Sequence, residues 1–99
     1  MSYQLIVRPL AEDDLLEAQR WYEAQQSGLG SEFRAAIDSV FTRLVENPQL
    51  YPLVYRGLRR AVVRRFPYLV YFNVEGEVIT VVACLHSRRR PGLVRSRAR

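Results

Sequence analysis

The chain has 99 residues, of which 48% are hydrophobic and 25% are charged, enough for one compact domain with an ordinary core. No apolar run reaches the roughly 18 to 20 residues of a membrane span, and residues 1–14 lack the basic and apolar regions of a signal peptide. The net charge of +5 is uneven, because residues 1–50 carry 4 arginines and 8 acids whereas residues 51–99 carry 11 arginines and 2 acids. We therefore expect the second half to present a positive surface to an anionic partner.

The first half of the chain predicts a strand followed by two helices. Residues 3–8, YQLIVR, are branched and apolar, and Pro9 ends the strand. A helix then runs to about Gln26, with acids in its first turn that complement the helix dipole. The second helix, residues 31–46, carries apolar side chains at helical spacing: Phe33, Ala36, Ile37, Val40, Phe41 and Leu44. The stripe is typical of an amphipathic helix that covers a sheet.

The second half predicts three strands. Residues 49–57 indicate an irregular link, and residues 58–65 indicate a strand whose two faces both carry arginine. Two apolar runs, 68–74 and 78–85, flank a short turn at Glu75-Gly76, which is typical of a β-hairpin. The predicted order is β-α-α-β-β-β, an α+β domain in which a helical hairpin packs on a largely antiparallel sheet. One domain over residues 1–91 is expected, and residues 92–99 have no periodicity and are expected to form a basic, mobile tail.

Arginines surround both ends of the predicted hairpin. Because the start of one antiparallel strand lies beside the end of the next, Arg64 and Arg65 should gather with His86 and the arginines of residues 88–90 at one end of the sheet. All 15 basic residues are arginine, which suits bidentate recognition of phosphate or carboxylate. The candidate anion-binding or partner-binding residues are Arg59, Arg60, Arg64, Arg65, Arg88, Arg89 and Arg90.

Few side chains of the sequence suit catalysis. The only residue with an unperturbed pKa suited to proton transfer near neutrality is His86, so it is the candidate group for acid–base chemistry. The single cysteine, Cys84, lies in the most apolar strand, cannot form an internal disulfide and makes a cytoplasmic location the default. The chain lacks metal-ligand spacing, a glycine-rich phosphate loop and a Ser-His-Asp set, so we expect neither a metal nor a cofactor.

The order of elements and several motifs together resemble the RelE/ParE superfamily of bacterial toxin–antitoxin toxins. The motifs are the proline-ended first strand with acids after it, the Asn47-Pro48 helix stop, the RRFPY segment at 64–68 and the VVACLHSRR ending at 81–89. The similarity spans roughly residues 3–91. This chain has Arg90 where members often carry an acid before the final proline, so the local role of that position is open.

The resemblance implies a growth-inhibiting toxin neutralised by a cognate antitoxin, with which it forms a heteromer. ParE-like members bind and poison DNA gyrase and are not nucleases, whereas RelE-like members cut mRNA on the ribosome without a metal. We favour the ParE-like interpretation with an acidic antitoxin. The alternatives are a RelE-like endoribonuclease, in which His86 would be the catalytic group, and a non-toxic nucleic-acid-binding module. A shared fold does not decide between these functions.

Overall fold

The computed structural model describes residues 3–88 and 91–98 as one sheet with helices on both faces. Its elements are β1 (Gln4–Val7), α1 (Pro9–Gln25), α2 (Leu29–Glu46), β2 (Leu53–Tyr55), β3 (Leu58–Val62), β4 (Tyr68–Glu75), β5 (Val78–His86) and α3 (Pro91–Arg97), with a 3-10 turn at Pro48–Leu50 between α2 and β2. None of the helices in the described residues is both long enough and apolar enough to cross a membrane.

The sheet has the strand order β1-β5-β4-β3-β2. Neighbouring strands are antiparallel except β1 and β5, which are parallel because two helices intervene between β1 and the later strands. The prediction of an α+β domain with a largely antiparallel sheet is therefore confirmed. The predicted hairpin is confirmed as well, since β4 pairs with β5 over their whole length, from Tyr68 opposite His86 to Glu75 opposite Val78.

The predicted helical stripe forms the main core. Phe33, Ile37, Val40 and Leu44 of α2 are fully buried, and Phe41 beside them is partly buried. They pack in one cluster with Ala11, Leu15 and Ala18 of α1 and with the inner face of the sheet, which contributes Ala61, Val70, Phe72, Ile79, Val81 and Cys84. Spacing at i, i+3 and i+4 places these helical side chains on one side, so α1 and α2 cover this face of the sheet.

A β-bulge at Val82 changes which residues of β5 face the helices. Phe72 pairs with Val81 and Tyr71 pairs with Ala83, so Val82 is the extra residue. Ala83 packs with Val82 on the other face, while Cys84 returns to the main core. Strict alternation from Val81 fails here because the bulge shifts the pleat by one residue.

Two elements differ from the sequence prediction. Within the link predicted as irregular, β2 pairs with β3 across a turn at Arg56-Gly57. The tail contains α3, which its sequence did not predict, and Leu93, Val94 and Ala98 pack against the second face of the sheet. The strand β2 is only three residues long and pairs with β3, its neighbour in the sequence, whereas α3 depends on contacts with strands that are distant in the sequence. The mobility of residues 92–99 stays a prediction.

Candidate functional site

A groove lies on the face of the sheet opposite α1 and α2, between the β2–β3 turn and α3. It encloses about 340 Å³ and is lined by Val54, Tyr55, Arg60, Leu69, Tyr71, Ser87, Val94 and Arg95. A second hollow of about 570 Å³ shares Tyr55 and Arg95 with it and adds Arg56. We call these two hollows together the open-face groove.

Three guanidinium groups border the open-face groove around tyrosine rings. The Cζ atoms of Arg56 and Arg95 lie 5.7 and 5.9 Å from the centroid of the Tyr55 ring, at cation–π distance. Arg60 stands opposite Tyr71 in the β3–β4 register. Among the described residues, none of these three arginines forms an ion pair with a carboxylate. Within residues 3–88 and 91–98, the groove is therefore a positively charged surface whose three arginines have no carboxylate partner.

The β2–β3 turn holds Arg56 in a backbone conformation that is unfavourable for an arginine. Arg56 and Gly57 have φ values of +41° and +81°, so both turn residues lie in the left-handed region that a two-residue β-hairpin favours. Glycine adopts this region without strain, whereas a residue with a Cβ pays roughly 1 to 2 kcal/mol. The turn therefore presents an arginine at a position where asparagine or glycine would be more stable.

His86 lies at the predicted end of the sheet, on the face that α1 and α2 cover and not on the face of the open-face groove. It pairs with Tyr68, and the neighbouring Ser87 backbone N–H donates to the Pro67 carbonyl at 2.8 Å. The ring lines a pocket of about 420 Å³ beside α1, together with Glu17, Ala18, Trp21, Tyr22, Pro67 and Tyr68. His86 and the arginines of the open-face groove therefore occupy separate sites on opposite faces of the sheet.

The hydrogen bonding of His86 limits its use as a base. Its Nδ1 atom accepts a hydrogen bond from the Arg88 backbone N–H at 3.1 Å. In the neutral ring this arrangement places the proton on Nε2, which then donates. The ring would therefore have to give up the Arg88 N–H bond before Nδ1 could take a proton from a ribose hydroxyl.

The predicted arginines are divided among several places. Arg59 is held by the chain itself, since its Nη1 donates to the Tyr51 carbonyl at 2.6 Å. Arg65 forms an ion pair of 2.9 Å with Glu32 of α2, and Arg64 lines a hollow beside the same helix. Of the predicted arginines that the structure describes, Arg60 is the one that lines the open-face groove.

The remaining predicted arginines follow β5. Arg88 is exposed beside His86, and Arg89 and Arg90 lie outside the described residues. The two segments that flank the hairpin do meet at one end of the sheet, because Tyr68 pairs with His86 and the Ser87 N–H donates to the Pro67 carbonyl beside the turn that carries Arg64 and Arg65. At that end Arg64 and Arg65 line the hollow beside α2, whereas His86 lines the pocket beside α1. The role of the predicted arginines in binding stays a prediction.

Sequence reasoning missed Arg56 and Arg95 as members of the basic groove. Arg95 was assigned to the tail and could not be placed without α3. The Arg-Gly pair at 56–57 was the available signal, since a glycine between two β-rich runs favours a two-residue hairpin turn.

Within the described residues, no group of three His, Cys, Asp or Glu side chains is arranged to bind a metal ion.

An ion pair fastens α3 to the rest of the molecule. Asp14 of α1 accepts hydrogen bonds from Nη1 and Nη2 of Arg97 at 2.7 and 2.9 Å, and from the Cys84 backbone N–H at 3.0 Å. Arg97 also donates to the Val82 carbonyl at 3.1 Å. Together these bonds satisfy backbone groups of β5 that lie beyond Val81, where the pairing with β1 ends. The hydrogen bond to Asp14 raises the pKa of Arg97.

Comparisons with known proteins agree with this architecture. Residues 5–91 match the family described as ParE toxin of the type II toxin–antitoxin system parDE. Toxin ParE2 proteins of Mycobacterium tuberculosis, from strains CDC 1551 / Oshkosh and ATCC 25618 / H37Rv, are 27% identical over 95 residues, covering 95% of this chain and 90% of theirs. A chain of the chromosomal ParDE system from P. aeruginosa superposes with a TM-score of 0.70 at 20% identity, covering 85% of this chain and 95% of that one.

Proposed function

Because the chain belongs to the ParE toxin family of type II toxin–antitoxin systems, we propose that it inhibits bacterial growth by binding and poisoning DNA gyrase. A cognate antitoxin neutralises it in a heteromeric complex. A cytoplasmic location, where the toxin meets gyrase and antitoxin, is part of the proposal.

One observation favours action by protein binding over RNA cleavage: His86 and the groove arginines lie on opposite faces of the sheet. Metal-independent RNA cleavage needs a base, an acid and cations around the same phosphate. Here the imidazole has Arg88 beside it, but its Nδ1 is engaged by the Arg88 backbone N–H, and the sheet separates the ring from the groove cations Arg60 and Arg95. A protein ligand needs no such convergence, since charged and apolar contacts spread over a surface suffice.

The test is to induce the unmutated protein and His86→Ala in bacteria and to compare the DNA-damage response with mRNA integrity. We expect both proteins to arrest growth, to induce the DNA-damage response and to leave mRNA intact. In parallel, purified gyrase should accumulate cleaved DNA when either protein is added. His86→Asn, which keeps an acceptor near the position of Nδ1, controls for misfolding caused by loss of the Arg88 contact.

The RelE-like alternative makes the opposite prediction. Codon-specific mRNA cuts in a purified translation system, lost in His86→Ala while antitoxin binding persists, would contradict the gyrase proposal. A protein that arrests nothing and binds nucleic acid alone would instead support the non-toxic module.

A further inference from the structure

We propose that the open-face groove is the docking site for an acidic, partly apolar segment of the antitoxin, with Arg56, Arg60 and Arg95 receiving its carboxylates. The inference rests on the proposed function in one respect, namely that an antitoxin is the partner. It differs from the sequence prediction, because Arg56 and Arg95 were absent from the predicted set, and because Arg59, Arg64 and Arg65 lie elsewhere.

Charge supplies the first argument. Arg59, Arg65 and Arg97 are each satisfied within the fold, by carbonyls or by a carboxylate. Arg56, Arg60 and Arg95 border one groove and have no carboxylate partner among the described residues. Three guanidinium groups around one concave surface are complementary to a segment that carries several carboxylates, and Arg–carboxylate contacts can be bidentate.

The apolar surface supplies the second argument. Val54 at the rim of the groove is 37% exposed, and Val62, which pairs with the groove residue Leu69, is 65% exposed. Leu53 at the neighbouring edge of the sheet is 61% exposed. A groove that offers aliphatic side chains beside arginines is suited to a segment with apolar residues among its acids, because both kinds of contact are then satisfied together.

The same geometry favours a protein segment over a nucleic acid. Single-stranded nucleic acids bind through phosphates on basic groups and through bases stacked on open aromatic faces. Here the Tyr55 ring is already in contact with Arg56 and Arg95, and Tyr71 is only 8% exposed. Phosphates would find arginines in the groove, but the bases would find little open ring surface.

Backbone strain supplies the third argument. Arg56 occupies a left-handed turn position, with φ of +41°, that asparagine would fill at lower cost. Its guanidinium reaches Tyr55 and borders the groove, where no carboxylate among the described residues pairs with it. A strained residue without a stabilising ion pair is consistent with selection for binding.

The experiment measures association of the full-length chain with the antitoxin encoded beside its gene, by stopped flow at several salt concentrations. The test variant is the triple charge reversal Arg56→Glu, Arg60→Glu and Arg95→Glu. Arg20→Glu is the matched control, an exposed arginine on α1 outside both hollows of the groove. Arg64→Glu tests the surface that the sequence predicted.

We expect the triple variant to associate roughly 10- to 100-fold more slowly at low salt, with a flatter salt dependence, because electrostatic steering is lost. Arg20→Glu and Arg64→Glu should each change the rate less than about 2-fold. Val54→Ser should leave the association rate unchanged and accelerate dissociation several-fold, because its apolar contact forms only after docking. Circular dichroism of each variant establishes that it is folded.

Three results would overturn the inference. If the triple variant associates as fast as the unmutated chain, or if Arg20→Glu slows association equally, the groove is not the docking site. If the triple variant binds antitoxin normally but loses binding to polyuridylate or to gyrase, the groove has a different occupant. If the unmutated chain itself binds no antitoxin, the proposed function fails together with the inference. In the first two outcomes the unmutated chain still binds antitoxin, so the two kinds of failure are distinguishable.

Discussion

Removing the carboxylate of Asp14 should destabilise the fold far more than removing a neighbouring carboxylate. Asp14 and Arg97 are both only 14% exposed, and the carboxylate accepts three hydrogen bonds, two from the guanidinium and one from Cys84 N–H. Asp14→Ala leaves these donors without their acceptor, and breaking a largely buried pair in this way costs about 3 to 5 kcal/mol. For a domain of this size, we expect the Tm to fall by more than about 12 °C.

The assay is urea unfolding followed by far-ultraviolet circular dichroism, with Glu12→Ala as the matched control on the same helix. Glu12 pairs with Arg34 at 3.0 Å, but the two side chains are 39% and 29% exposed, so this variant should lose less than about 1 kcal/mol. Hydrogen exchange of the Cys84 amide should accelerate in Asp14→Ala alone. A loss of stability in Asp14→Ala no greater than in Glu12→Ala would refute the reasoning.

Three further predictions concern stability. Ile37→Ala should cost about 2 to 5 kcal/mol in urea unfolding because Ile37 is fully buried, whereas Leu50→Ala, at a site 77% exposed, should cost less than about 0.5 kcal/mol. Arg56→Asn should raise the free energy of unfolding by up to about 1 kcal/mol, since Asn-Gly suits the turn with Gly57; a loss of stability would contradict the strain at this position. Burial raises the pKa of the Cys84 thiol, so the folded state holds that proton more tightly than the unfolded state does. The free energy of unfolding should therefore fall above about pH 9, by up to about 1.4 kcal/mol per pH unit. Cys84→Ala should remove this part of the alkaline slope, and an unchanged slope would show that the thiol does not contribute.

The sequence by itself was enough to predict those elements whose local residue pattern matches the role that they have in the folded protein. The 3.6-residue spacing of Phe33, Ile37, Val40 and Leu44 leaves one face that can be buried, so both the helix and its packing on a sheet could be predicted. The two apolar runs around Glu75-Gly76 likewise specify a hairpin, because strand and turn preferences coincide within about 20 residues. The charge division between the halves identified a basic surface, but not its members.

Only the tertiary structure decided which arginines share a surface. The strand β2 is only three residues long, and the helix α3 packs on strands that are distant in the sequence, so Arg56 and Arg95 could not be placed beside Arg60. The bulge at Val82 moved Ala83 to the second face, since one extra residue in a strand inverts the alternation that sequence reasoning relies on. Side-chain direction across a sheet depends on register, and register depends on the partner strands rather than on the local sequence.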